Sequence, residues 1–371
     1  MLKRYKLKNY HFQLILYVSI LTIIGIMVIG SAQASVQSKQ IFGFALGFIS
    51  MVIVSLIDYS FLLKFPWFYY AAMIVLLIWV HLDGKTVGGA TRWIIIFGIQ
   101  FQPSELAKLA IIVFFAYYFM KYHENLNTIR TLGIAFILAG IPLVLILRQP
   151  DLSTTIVTAI IFVVLLFIAG LSYKIILSFL AIAVPSVILV LSYVIQLAQS
   201  TDTDVPYQLD RILAWLYPTD PRFSEKALQQ QNSIMAIGSG QLWGKGLNNS
   251  AATSMKNADY IIEPQTDFIF AVAGEELGFA GTTTIIILLL LIVVECIYIG
   301  SRAKDLAGRL ICCGMAALIG FQSFVNICVN TGLMPNTGIP LPFMSYGLTS
   351  IVSLFIGIGL VLNVGLQAKK Y

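Results

Sequence analysis

Ten long apolar runs separated by mostly short polar connections organise this chain. They fall at 12–31, 39–57, 66–81, 104–121, 131–147, 152–170, 173–198, 267–300, 307–330 and 345–367. A helix needs roughly 20 apolar residues to cross a bilayer, so the pattern predicts ten transmembrane helices. The fold class expected is an all-α polytopic membrane protein in which residues 1–371 form a single integral membrane domain. Lys3, Arg4, Lys6 and Lys8 before the first run, and Ala32-Gln33-Ala34 after it, imitate a secretory signal. That run is long for a signal core and more runs follow it, so it reads as an uncleaved anchor.

Two connections break the rule of shortness. One is a large extracellular loop, 199–266, between spans 7 and 8, and connections of that length usually carry function. Within it 207–217 has an amphipathic pattern around Arg211, Trp215 and Leu216, and 224–237 reads as a helix with Ser224 as its N-cap. The following G-S-G-Q-L-W-G-K-G, Gly238 to Gly246, invites a phosphate-loop reading. It lacks the spacing, the Ser or Thr after Lys245 and the preceding strand, and is a tight turn whose N–H groups and Lys245 could meet an anion. The other connection, between spans 9 and 10, is too apolar and too rich in Pro and Gly for a solvated loop. It predicts a re-entrant outer segment buried in protein. The stretch His81 to Ser104 suggests a hairpin-like excursion at the interface, with Trp93 at headgroup level and Arg92 facing water.

The eighth run is too long for its task, since Asp267 to Gly300 would extend about 50 Å against about 30 Å of hydrocarbon. Either it breaks at Gly274, Gly278 or Gly281, or its first turns stand in a water-filled cavity, where Glu275 and Glu276 are affordable.

Composition agrees, at 58% hydrophobic and 11% charged residues with a mean hydropathy of +0.88. Cys296, Cys312, Cys313 and Cys328 lie in apolar runs without zinc or disulfide spacing. The net charge of +6 comes from scattered Lys and Arg, which excludes nucleic acid as a partner. They crowd instead on the side of both termini, while the short opposite segments hold only Lys39, Lys85, Arg92 and Arg148. Both termini are therefore expected in the cytoplasm. Most prolines cluster on the outer side, which makes that the working face.

Asp267 is the leading candidate for chemistry. Thr266 predicts an N-cap, and Asp267 falls in the first helical turn, where the dipole favours its ionised form and leaves it available as a base. Helix capping alone is the plainer explanation. Glu105 and Lys108, three apart inside an apolar run, predict a pair lining a polar cavity or merely neutralising each other. Asp151, after Arg148-Gln149-Pro150, is a second-rank site residue or a cap.

These segments together resemble the SEDS family of RodA, FtsW and SpoVE. The resemblance rests on G-x-x-R-W at Gly89 to Trp93, Q-P-S-E-x-A-K at Gln102 to Lys108 and Q-P-D at Gln149 to Asp151. It rests further on P-x-T-D-F-I-F-A-V-x-G-E-E-L-G at Pro264 to Gly278 and T-G-I-P-L-P-F-x-S-Y-G at Thr337 to Gly347. It runs over essentially the whole chain. It implies a peptidoglycan glycosyltransferase that polymerises lipid II on the outer face of the cytoplasmic membrane beside a class B penicillin-binding protein transpeptidase. The family's essential aspartate falls on Asp267, and its polar cavity residues on Arg92, Glu105, Lys108 and Asp151. Glu275, Glu276, Lys245 and Ser345 fall in motifs that would also meet substrate. Gln265 stands where many relatives have His, and Leu348 where a second Gly is common.

On that footing Asp267 would be the general base, and Arg92 and Lys108 would meet the departing pyrophosphate, with Glu105 orienting Lys108. No resident metal site is visible; Mg or Mn could assist the leaving group. Two rivals stand beside this reading: a flippase or transporter of lipid-linked precursors, and a non-catalytic membrane scaffold for a transpeptidase.

Overall fold

The computed structural model describes residues 10–367, apart from 88–89, 97–98, 250–261 and most of 179–206. The predicted span 173–198 therefore lies largely outside the described residues.

The apolar runs fold as helices close to their predicted limits: α1 (Phe12–Ala32), α2 (Ala34–Leu56), a short α3 (Tyr59–Leu62), α4 (Pro66–Asp83), α5 (Pro103–Lys121), α6 (Ile129–Leu147) and α7 (Leu152–Ile168). The long loop supplies α8 (Tyr207–Leu216) and α9 (Ser224–Ser239), and the last third of the chain α10 (Ile269–Ser301), α11 (Leu306–Asn330) and α12 (Leu348–Leu366). Among the described residues, eight helices are long and apolar enough to cross a membrane, and α7 is slightly shorter. Ser224 opens α9 but does not cap it, because its hydroxyl bonds the Pro221 carbonyl and Phe223 takes the cap position.

Helices α5, α11 and α12 are buried along most of their length, whereas α1, α2, α4 and α6 turn an apolar face outward, as lipid contact requires. Small residues let the central helices close in. A Cβ on Gly47 of α2 would stand 2.9 Å from Phe355, and one on Gly359 of α12 2.7 Å from the Met51 carbonyl. The hairpin-like excursion is a small antiparallel sheet, β1 (Lys85–Val87), β2 (Ala90–Ile96) and β3 (Ile99–Phe101), between α4 and α5.

Helix α10 breaks at one of its three predicted glycines. Gly278 has φ 67° and ψ −166°, outside any helix. The Gly-rich turn after α9 plugs the gap with four main-chain bonds. Lys245 N and Gly246 N donate to the carbonyls of Glu275 (2.9 Å) and Glu276 (3.0 Å), and Phe279 N and Ala280 N donate to those of Gln241 (2.8 Å) and Leu242 (3.1 Å). Groups freed by the break are thus paired again. From Gly278 to Ser301 the helix spans about 35 Å, close to a bilayer thickness, so the excess length is the piece from Ile269 to Leu277 that follows Asp267.

At the opposite end of the bundle polar contacts tie together α1, α2, α3, α10, α11 and α12. Tyr59 Oη donates to Asp305 (2.9 Å), and Lys304 Nζ donates to Ser60 Oγ (3.0 Å) and to Gln367. Gln367 Nε2 reaches Asp58 (2.9 Å), Asn363 Nδ2 the Ser55 carbonyl (2.7 Å), and His11 Nδ1 lies 2.8 Å from Glu295.

Candidate active site

Asp267 lies in the turn that leads into α10. Thr266 does not cap the helix: its hydroxyl bonds the Glu263 carbonyl at 3.0 Å, so α10 starts only at Ile269 with Phe268 at the cap position. Asp267 therefore precedes the first turn instead of lying in it. The cap comes from another helix, with Asn330 Oδ1 of α11 accepting from Ala271 N at 3.2 Å.

Three successive carbonyls before α10 are pinned from outside the turn. Gln265 O accepts from Tyr346 N (2.8 Å), Thr266 O from Ser345 Oγ (2.6 Å), and Asp267 O from Asn326 Nδ2 (2.8 Å) and Asn330 Nδ2 (3.0 Å). The main chain at Asp267 is fixed while, among the described residues, its carboxylate enters no hydrogen bond. That is the arrangement of a group kept for a ligand.

The stretch after α11 is packed into the bundle in the same manner. Arg211 Nη1 donates to Asn336 O (3.4 Å), Ser153 Oγ to Thr337 O, Asn326 Nδ2 to Ile339 O (2.7 Å) and Gln322 Nε2 to Pro340 O (2.9 Å). Leu341 N donates to Ser345 Oγ (2.7 Å). The carbonyls of Asn336, Thr337, Ile339 and Pro340 thus find side-chain donors, which is what makes such backbone tolerable at depth. Between them Gly338 has φ +73°, and a Cβ there would stand 3.3 Å from Asp267 Oδ2 and 3.4 Å from Arg211 Nη1. Gly338 thus leaves open the gap across which the carboxylate and the guanidinium face each other. Gly338→Ala is expected to slow turnover by about tenfold or more, read by activity against an unchanged yield of folded protein.

Burial pushes the Asp267 carboxyl up to about 6. Arg211 and Arg92 pull it down, while Glu263 and Asp151 push it up. Burial outweighs the pull of the two guanidinium groups, so the carboxyl is held above the usual carboxylate range. Arg92 does not face open water as the sequence suggested. Its guanidinium turns inward to the carbonyls of Gln149 (3.4 Å) and Pro150 and lies 3.7 Å from Asp151, which in turn caps α7 by accepting from Thr154 N at 3.0 Å.

Glu105 and Lys108 pair at 2.8 Å with each side chain only 3% exposed, and Lys108 also reaches Gln322 Oε1 at 2.9 Å. Through Gln322 the pair connects to Pro340, hence to the stretch that carries Gly338. Ser104 Oγ, Glu105 Oε2, Gln149 Oε1, Ser323 Oγ and Thr337 Oγ1 are buried without a partner. Such unmet capacity on the elements framing Asp267 suits an occupant rich in hydroxyls.

Lys245, Glu275 and Glu276 are placed elsewhere. Lys245 Nζ pairs with Glu275 at 2.7 Å, and Glu276 accepts from Ser31 Oγ of α1, which also accepts from Asn248 N at 3.0 Å. The turn's amides close the helix break, so the anion-binding reading finds those donors already engaged. Among the described residues no three His, Cys, Asp or Glu side chains converge as metal ligands.

Arg211, Gln322, Asn326, Asn330 and Gly338 were not singled out for the site in advance. Gln322, Asn326 and Asn330 recur every four residues in an apolar run, one helical face, and that spacing is a readable signal. Arg211 gave none, because Asp267 and Asn336, which it meets, lie 56 and 125 positions away.

A family model described as Cell cycle protein, FTSW_RODA_SPOVE, matches residues 3–370. Among curated relatives, a probable peptidoglycan glycosyltransferase FtsW of Geobacter sulfurreducens is 32% identical, over 98% of this chain and 97% of its own. One of Nitrosomonas europaea is 37% identical, over 78% and 72%. Among solved structures, a chain from work on structural coordination of polymerization and crosslinking by a peptidoglycan synthase complex superposes with a TM-score of 0.77. The two are 26% identical over 96% of this chain and 97% of that one. The rod shape determining protein RodA of Thermus thermophilus gives 0.69 at 25% identity, over 98% of each chain.

Proposed function

The chain belongs to the FtsW, RodA and SpoVE family of cell cycle proteins, and from that premise we propose that it polymerises lipid II into glycan strands at the outer face of the cytoplasmic membrane. The observation that carries this reading is the Asp267 carboxylate, set between Arg211 and Arg92 on a main chain pinned by α11 and by Ser345.

Asp267 takes the proton from the acceptor hydroxyl. The oxygen attacks the anomeric carbon of the donor, the carbon–oxygen bond to the diphosphate breaks, and polyprenyl pyrophosphate leaves with the bonding pair. A single displacement inverts the anomeric centre and needs no covalent nucleophile. Arg92 is the more accessible cation for the leaving group; Lys108, held by Glu105, adds positive charge from beneath. A divalent cation bound to the diphosphate would add to this charge. The reading includes ten membrane spans, both termini in the cytoplasm, a re-entrant stretch after α11 and a class B penicillin-binding protein as transpeptidase partner. Likeness to a chain of a peptidoglycan synthase complex supports the partner.

Chain formation from purified lipid II, with and without the partner, tests the reading against lipid movement in vesicles. Movement without polymerisation would sink it. A pH profile gives a second test. With Asp267 near 6, the rate should halve near pH 6 and drop tenfold for each further unit of acid, because only the ionised base is active. Arg211 pulls that value down, so Arg211→Gln should move the acid limb to higher pH. An unmoved limb would show that the guanidinium does not act on the base.

A further inference from the structure

A cavity of about 90 Å³ opens between α8, α9 and the irregular stretch, lined by Arg211, Ala214, Trp215, Ala227, Gln229, Gln230 and Asn336. It adjoins the site through Arg211, which lines it and also faces Asp267 across Gly338. Its volume is roughly that of three waters in the liquid, near the four heavy atoms of an acetamido group and short of a hexose ring or a diphosphate.

Its polar atoms are set in a definite pattern. Gln230 Nε2 donates to the carbonyls of Val329 (2.8 Å) and Met334 (2.6 Å), which fixes the amide and leaves Oε1 as the acceptor. Gln229 is taken up by Ile262 O (3.2 Å) and Asn336 Nδ2 (3.2 Å). Trp215 Nε1 donates to Gly332 O at 2.8 Å, which locks the indole and offers ring carbons beside the methyls of Ala214 and Ala227. The lining thus presents an amide acceptor, the Arg211 guanidinium, which also donates to Asn336 O, and a small apolar wall. A secondary amide with a methyl group meets all three: its N–H goes to Gln230, its C=O to Arg211, its methyl to the alanines and the indole. A diphosphate would find one cation and a wall of amides and alanines.

We infer that this cavity seats the 2-acetamido group of the acceptor sugar and so orients its hydroxyl toward Asp267. The inference deepens the proposed polymerase reading and rests on it for the identity of the sugar. Ala214, Trp215, Ala227 and Gln230 become specificity residues for an N-acetylhexosamine.

The test is saturation-transfer NMR on the full chain in nanodiscs, with N,N′,N″-triacetylchitotriose and its de-N-acetylated form as probes. The wild type should transfer saturation mainly to the acetamido methyls, and the de-acetylated sugar should bind about tenfold more weakly or not at all. Ala227→Val, which fills the cavity, should weaken the acetylated probe by a similar factor. Ala214→Val gives a second obstruction should the first not fold. Equal binding of both probes, no methyl saturation, or full binding by a folded Ala227→Val or Ala214→Val would overturn the assignment. The polymerase reading is scored separately on lipid II. Methyl saturation without polymerisation would retain the cavity and remove the enzyme; polymerisation without methyl saturation would do the reverse.

Discussion

Asp267→Asn is expected to lower glycan chain formation by about 10²–10⁴-fold, the range for losing a general base, with the protein still folded. The separation of the two effects follows from which atoms of Asp267 do structural work. Its hydrogen bonds to Asn326 and Asn330 go to the main-chain carbonyl, which the substitution keeps. Stability should move the other way from activity. The folded protein holds the Asp267 proton up to about 6, above the ordinary carboxyl value of 3.8. A carboxyl raised in this way favours folding while protonated, and that advantage is lost as pH rises between those two values. At neutral pH the ionised group is a burden on the fold. Neutral Asn removes the burden, so the melting temperature should equal or exceed that of the wild type. Wild-type polymerisation by the variant would remove Asp267 from the mechanism. A lowered melting temperature would instead reassign the loss of activity to misfolding.

Gly278→Ala should destabilise the protein by about 3 kcal/mol or more. Its φ of 67° and ψ of −166° belong to a region open essentially to glycine alone, and an added Cβ would stand 2.3 Å from Gly244 N. Gly244 has the mirrored constraint, with φ +78° and a Cβ position 2.1 Å from the Glu276 carbonyl, so Gly244→Ala should fail alike. Gly140 of α6 is the control, because nothing lies within 4 Å of an added Cβ there. Thermal unfolding in detergent reads all three. If Gly278→Ala melts with Gly140→Ala, the stitched helix break contributes nothing to stability.

The helices were legible because a bilayer imposes one length and one polarity on every span, as the match between 12–31 and Phe12–Ala32 illustrates. The break at Gly278 was legible only as one of three options. Choosing it required the turn that docks there, and those contacts span 30 to 38 positions. The same docking explains why the Gly-rich turn looked like an anion site: a row of free amides is readable from sequence, the carbonyls that occupy them are not. The carboxylate was singled out from its motif, but the rise in its pKa was not foreseen. The first-turn rule pointed to an ionised group, whereas burial pushes its carboxyl up. Arg211 and its cavity stayed hidden because α8, α9 and Asn336 meet only in the folded chain.

The polar network at the end of the bundle away from Asp267 limits what the protein can transport. An inward-open state would have to part α3 from α11 at Tyr59 and Asp305, α11 from α12 through Lys304 and Gln367, and α1 from α10 at His11 and Glu295. Each such contact contributes on the order of 1 kcal/mol, more where a charge is involved, and they would be lost together. With those contacts closed, the proposed polymerase would take its lipid-linked substrate from the leaflet on the Asp267 side. On that reading, moving the precursor across the bilayer would fall to a different protein.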